Sequence, residues 1–234
     1  MNPIGFRSFF HSNLCLAFVL LAGGGALTEA RGQQVVDQSN IFSVAGGFTG
    51  KGVDSSKVLA QTLTVGQSGY LTQIDVQILR WYQSTLTSDL VLTVTTPADL
   101  SFPVGPALTS ITLHPSDVPT FDQFPTQSVT SVYLPAFAVP VTQGEFLSIV
   151  LTSTQPYDGS NFYMWASKDP EPSDNYPGGA AWRNYSNTGF VQDAAMEDFG
   201  FRTYVTVPEP AALPVLGFAL FAARKRIWRI ERRR

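Results

Sequence analysis

Residues 69–79 read Gly-Tyr-Leu-Thr-Gln-Ile-Asp-Val-Gln-Ile-Leu. In an extended chain Ile74, Val76 and Ile78 fall on one face, and Gln73, Asp75 and Gln77 on the other. That period of two is the mark of a strand with one face buried and one wet. A helix over the same residues would scatter its apolar side chains round the cylinder and bury none of them as a set. The pattern recurs outward in both directions. Leu90, Leu92 and Val94 alternate with Val91, Thr93 and Thr95; Leu147, Ile149 and Leu151 follow a Gln143-Gly144 turn; Phe199, Phe201, Thr203 and Val205 alternate with Gly200, Arg202 and Tyr204.

Further strands are predicted at 58–65, 107–113, 129–134, 161–167 and around 180–183. Turn residues separate them: Gly66-Gln67-Ser68-Gly69, prolines 103 to 106 and 115 to 119, Asp158-Gly159 and Pro177-Gly178-Gly179. No stretch holds a 3.6-residue period of useful length. Eight to ten short strands with frequent turns predict an all-β domain over 31–207, an antiparallel two-sheet sandwich, jelly-roll-like or immunoglobulin-like in topology.

The two ends differ in kind from this middle. Arg7 and His11 flank a polar start, residues 14–21 form a short apolar run, and Thr28-Glu29-Ala30 supplies small residues at a cleavage site. This is the layout of a secretory signal over 1–30, with an apolar helix cut after Ala30, or after Ala26 as the alternative. Cys15, the single cysteine, lies inside that run, so disulfides, thiolate catalysis and cysteine-metal sites are not expected of the mature chain. Leu14 stands before it where lipidation requires a small residue.

At the other end Pro208-Glu209-Pro210 precedes thirteen apolar residues, 211–223, and then the basic groups Arg224-Lys225-Arg226 and Arg232-Arg233-Arg234. The prolines stop a strand. The apolar run partitions into a bilayer as a short membrane helix, and the basic tail stays on the cytoplasmic side by the positive-inside rule, which leaves the sandwich outside. Thirteen residues rise only about 20 Å as a helix against a hydrocarbon core of ~30 Å. Snorkelling of Arg224, Lys225 and Arg226, with Ile227, Trp228 and Ile230 extending the helix, supplies the difference.

The order of Pro-Glu-Pro, apolar run and basic tail over 208–234 resembles the PEP-CTERM sorting signal of bacteria that make extracellular polysaccharide. The resemblance implies an exported protein held in the cell envelope or released to the extracellular matrix, and a membrane protease, the exosortase, as the partner that reads the signal. The sandwich itself resembles, in turn and core residues, the exported jelly-roll modules found ahead of such anchors.

Charge narrows the remaining partners. The whole chain carries −3, but residues 34–206 hold six Lys and Arg against fifteen Asp and Glu, a net −9. Nucleic acid, which is bound through Lys and Arg on phosphates, is not an expected partner. Catalytic patterns are also missing. His114 is the single histidine beyond the leader, no Gly-x-Ser-x-Gly elbow accompanies it, and no cysteine or histidine cluster offers a zinc site. The sequence therefore reads as non-enzymatic, with a secreted carbohydrate-active hydrolase and a ligand-free matrix protein as the alternatives.

Two groups of residues carry a binding expectation. Trp81, Tyr82, Trp165, Tyr176 and Trp182, with Tyr163 beside them, offer flat faces of the kind that stack on sugar rings; the plainer reading is core packing. Residues 167–185 hold Asp169, Glu171 and Asp174 among turn residues, an oxygen-rich segment of the type Ca²⁺ requires, although the spacing fits no EF-hand loop. No other cofactor is implied.

Overall fold

The computed structural model describes residues 32–44, 48–81, 86–135, 139–167, 176–186, 188–193 and 198–208. The predicted signal helix at 1–30 and membrane helix at 211–223 lie outside the described residues, as do Glu209, Pro210 and the basic group Arg224, Lys225 and Arg226. Among the described residues no helix is long and apolar enough to cross a membrane.

Gln33–Val207 is the compact unit. Its strands are β1 (Gln33–Ser39), β2 (Thr49–Val53), β3 (Lys57–Thr64), β4 (Gly69–Val76), β5 (Ile78–Arg80), β6 (Leu90–Thr95), β7 (Ala107–Leu113), β8 (Thr130–Tyr133), β9 (Val139–Val141), β10 (Phe146–Ser153), β11 (Tyr163–Ser167), β12 (Ala181–Tyr185), β13 (Val191–Gln192) and β14 (Phe201–Val207). Among the described residues fourteen strands replace the expected eight to ten. They form three antiparallel sheets where two were predicted: β1-β14-β4-β8 with β9 also on β4, β13-β12-β3-β10-β6-β7, and β2-β11-β5. The arrangement is all-β and sandwich-like.

The third sheet arises where the first was expected to continue. The alternation over 70–79 predicts one strand, but the chain changes sheet at Gln77, after which β5 pairs β11. Gln77 is fully buried, and its amide donates to the Phe42 carbonyl (2.9 Å) and accepts from the Phe42 N–H (3.2 Å). Its backbone bonds Gly200 and Ala166. A buried amide must be paired, and this one is paired to two backbone groups, which fixes the corner.

The polar face predicted for β4 is therefore not wet. Asp75 is 4% exposed and accepts from Gln73 Nε2 (2.7 Å), Ser131 Oγ (2.8 Å) and Tyr204 Oη (2.9 Å). The period of two was read correctly, while the inference of solvent on the polar side was not, because hydrogen bonding from neighbouring strands covers that side.

The main core gathers the inward rows that the alternation marks. Leu59 and Leu63 of β3, Ile74 and Val76 of β4, Leu90, Leu92 and Val94 of β6, and Leu147, Ile149 and Leu151 of β10 form one cluster with Trp165, Phe199 and Phe201. Burying each such side chain contributes about 1.5–3 kcal/mol. The turn into β10 holds Gly144 at φ +84, a left-handed conformation that a side chain would strain.

Candidate functional site

The sheet β2-β11-β5 has two apolar faces, and the strand period sorts them. Along β11, Tyr163 and Trp165 join the main core, whereas Met164 and Ala166 join a second cluster with Leu79, Phe124 and Val44. Partly buried Phe42, Phe48, Trp81, Phe121 and Phe162 pack against this second cluster. Over it lies a groove of about 420 Å³, lined by Val44, Phe48, Thr49, Gly50, Trp81, Phe121 and Met164. That volume falls within the ~300–1,000 Å³ of small-ligand sites.

Each wall is set by the local chain. Trp81 follows β5, and its N–H donates to the Phe162 carbonyl (3.0 Å). Its indole then stacks on the Phe162 ring, with centroids 5.7 Å apart and planes at 16°, and meets the Phe121 ring edge-on at 5.1 Å. The segment carrying Phe121 is tied to β5 by Arg80. Arg80 Nε donates to the Val118 carbonyl (2.9 Å), Arg80 N–H to the Pro119 carbonyl (2.8 Å), and Phe121 N–H to the Arg80 carbonyl (3.0 Å). Phe48 then packs on Phe124 at 4.8 Å.

Gly50 makes the space at the base. A Cβ there would sit 2.6 Å from the Trp165 carbonyl oxygen and 2.7 Å from Met164 Cγ, so a side chain is excluded and β2 lies tight on β11. Thr49 is the one hydroxyl of the lining among the described residues, and it bonds Ser167 Oγ (3.1 Å). The lining holds no carboxylate among the described residues. Chemically the groove offers flat aromatic faces and little charge.

The predicted aromatic platform is dispersed. Trp165 is wholly buried, stacked on Phe199 at 4.6 Å with planes at 15°, and its Nε1 donates to the Gly200 carbonyl (3.0 Å). Trp182 is 6% exposed and packs on Ala60 and Val150 of the six-stranded sheet. Tyr176 is 5% exposed, its hydroxyl donates to Gln38 Oε1 (2.9 Å), and its ring meets Phe201 edge-on. Tyr163 is buried with its hydroxyl on the Ser88 carbonyl (2.8 Å). Burial pushes the phenols of Tyr163 and Tyr176 above their ordinary range, with nearby aspartates adding to the rise. These four rings are occupied by packing and present no face to a ligand. Tyr82 lies outside the described residues. Trp81 alone of the described set borders open space, and it does so with Phe121, Phe48 and Met164, which the sequence reading left out. A signal for Phe121 is in the sequence: Phe121 and Phe124 sit between prolines 119 and 125, two aromatic residues in a segment where no strand is predicted.

The oxygen-rich acids Asp169, Glu171 and Asp174 lie outside the described residues. Among the described residues no three His, Cys, Asp or Glu side chains gather as a metal site would need. His114 is exposed, and its Nδ1 lies 2.9 Å from Asp89 Oδ1. That hydrogen bond, with the charge of Asp89, raises the imidazole pKa.

No family model matches the chain, and no curated protein matches it. Among solved structures it is similar to the infectious bursal disease virus VP2 subviral particle, at 11% identity and a TM-score of 0.30, over 84% of this chain and 50% of that one. A structure of the Gx strain of the same virus gives 13% identity and a TM-score of 0.26, over 84% and 48%. The chain thus spans about half the length of each. Likeness at that level carries no argument about this protein.

Proposed function

We propose that this is an exported bacterial surface or matrix protein, non-enzymatic, sorted through a PEP-CTERM-type signal at 208–234, with a jelly-roll-like sandwich that binds polysaccharide at the Trp81 groove. The order of Pro208-Glu209-Pro210, apolar run and basic tail carries the first part. The run enters the bilayer, the basic residues hold its inner end, and an exosortase-type enzyme reads the motif. The acidic body then faces outward.

The groove supports the second part. Sugar rings present C–H faces that pack on aromatic rings, and Trp81 with Phe121 and Phe48 offers such rings beside open space. A lining without carboxylates among the described residues favours holding a glycan over cleaving one, because glycoside hydrolysis uses a pair of acids about 5–9 Å apart.

Two experiments test the proposal separately. Deleting 208–234 should move the protein from the envelope fraction to the medium; unchanged retention would sink the anchor. A glycan array on the full chain, with and without added calcium, should return bound polysaccharides that Trp81→Ala loses by about tenfold, as expected when one aromatic stacking contact of ~1.5 kcal/mol goes. An array with no binding assigns the sandwich to the ligand-free matrix reading.

A further inference from the structure

An exposed strand edge invites pairing, and folded proteins blunt such edges by shortness, charge, proline or bulges. Among the described residues all six edge regions carry some such device, five of them strongly. β1 carries a bulge between Val36 and Gln38, with Asp37 in it. β13 has two residues, and β5 has three and ends in Arg80. β8 has four, with neighbouring β9 three residues long and centred on Pro140. β2 reads Thr-Gly-Lys-Gly-Val, where Lys51 and two glycines weaken it.

β7 is blunted least, by a single bulge at Leu108. It ends the six-stranded sheet, and its seven residues, Ala-Leu-Thr-Ser-Ile-Thr-Leu, include no charge, glycine or proline. Ala107, Leu108, Ser110 and Thr112 are exposed. A register shift at Leu108 leaves Thr109 to Leu113 as the regular stretch on β6. Ile111, at its centre, packs half-buried against the main core. Leu108 (38% exposed) and Val104 (43%) add apolar surface at the strand's start, whereas the Phe102 ring meets Phe190 edge-on.

We infer that β7 is an assembly edge, pairing antiparallel with β7 of a second copy of this chain about Ile111. The strand is its own complement in that register. Thr109 meets Leu113 of the copy, Ser110 meets Thr112, and Ile111 meets Ile111, so hydroxyl faces hydroxyl outside and the two isoleucines meet in the inner row. Charge selects the same edge. Residues 34–206 carry −9, and a neutral strand is where two such bodies approach with no carboxylates opposed. At one end His114 and Asp89 are paired with each other. The inference does not depend on sugar binding or on the anchor.

Cross-linking in the purified full chain, with Cys15→Ser, tests it. Cα atoms opposed in an antiparallel pair lie about 4.5 or 5.5 Å apart, within the ~4.4–6.8 Å a disulfide spans. Ser110→Cys chains mixed with Thr112→Cys chains should form a disulfide dimer under mild oxidation. The double variant Ser110→Lys with Thr112→Lys opposes two pairs of ammonium groups and should reduce the non-covalent dimer, measured by sedimentation in detergent, by about tenfold. Both positions are exposed, so unchanged thermal melting shows the fold is intact. No cross-link in the mixture overturns the inference. So does a monomer whose single cysteines resist a maleimide, which would assign the edge to a segment of the same chain.

Discussion

Trp165 and Trp81 lie on the same three-stranded sheet, one on each of its faces. Trp165 is enclosed: its ring stacks on Phe199 and its N–H is bonded to Gly200. Trp81 stacks on Phe162 and touches Phe121, but it borders an open groove. Residue type is identical, and neighbouring residues are similarly apolar. Strand position separates them, since Trp165 is the middle of β11 with its side chain toward the main core, and Trp81 follows the last residue of β5. An aromatic inside a ladder is committed to packing, whereas one at a ladder's end is available for binding.

The sharpest way to break this contrast is to truncate both. Trp165→Ala leaves a cavity, removes one of the two donors to the Gly200 carbonyl and should cost about 3–5 kcal/mol. For a domain of this size that lowers the melting temperature by about 10 °C in calorimetry. Trp81→Ala removes ring contacts at a margin and should cost no more than about 1.5 kcal/mol, with melting close to that of the parent. Equal losses would end the division into a structural and a binding tryptophan.

A second substitution probes why the inner stack is held. Gln61 is fully buried; its Nε2 donates to Asp198 Oδ1 (2.8 Å) and its Oε1 accepts from Phe199 N–H (2.9 Å). It positions the ring on which Trp165 lies. Gln61→Leu should cost about 2 kcal/mol, since a buried polar group that loses a partner bears its desolvation. Combined with Trp165→Ala it should show a coupling of about 0.5–3 kcal/mol by chemical denaturation, while Gln61→Leu with Trp81→Ala should be additive. Coupling to Trp81 instead would mean that the two faces are not independent.

Much of this was legible in the sequence because strand alternation reports which side is buried. The inward rows of β4, β6, β10 and β14 follow from it directly, whereas β3 buries five residues in succession. Strands with a weak pattern escaped it: β2 is glycine-rich, β9 contains a proline, β13 has two residues, and β1 is built of Gln, Asp and Ser round two valines. The third sheet escaped it too. Nothing local marks Gln77 as a corner, because its role depends on Phe42 and Gly200, which are distant in the chain. The groove was half legible. Trp81 stood out as a residue type, but its neighbours come from four separate segments, and the gap they enclose depends on Gly50 having no side chain.

The smallest expected effect concerns acid and the turn that supports the groove. Asp158 accepts from the N–H groups of Ser160 (2.9 Å) and Asn161 (2.6 Å) and from the Asn161 amide, one residue before Phe162, the ring under Trp81. These hydrogen bonds, led by the Asn161 side chain, hold its carboxyl down at about 2. A depressed carboxylate pKa favours the folded turn above the unfolded value near 3.8, and the benefit fades as pH falls toward 2. Trp81 emission, with Trp165, Trp182 and Trp228 all replaced by Phe, should therefore stay flat from neutral pH to about 4 and drift as pH falls toward 2. Asp158→Asn should remove that drift, and a drift unchanged in this variant would show that the acid response comes from elsewhere. Trp165, with Trp81, Trp182 and Trp228 replaced by Phe, is enclosed in the main core and bonded to Gly200, and should not follow the same curve. If both tryptophans respond together, the turn is not acting on the groove alone, and the separation of the two faces fails at its most sensitive point.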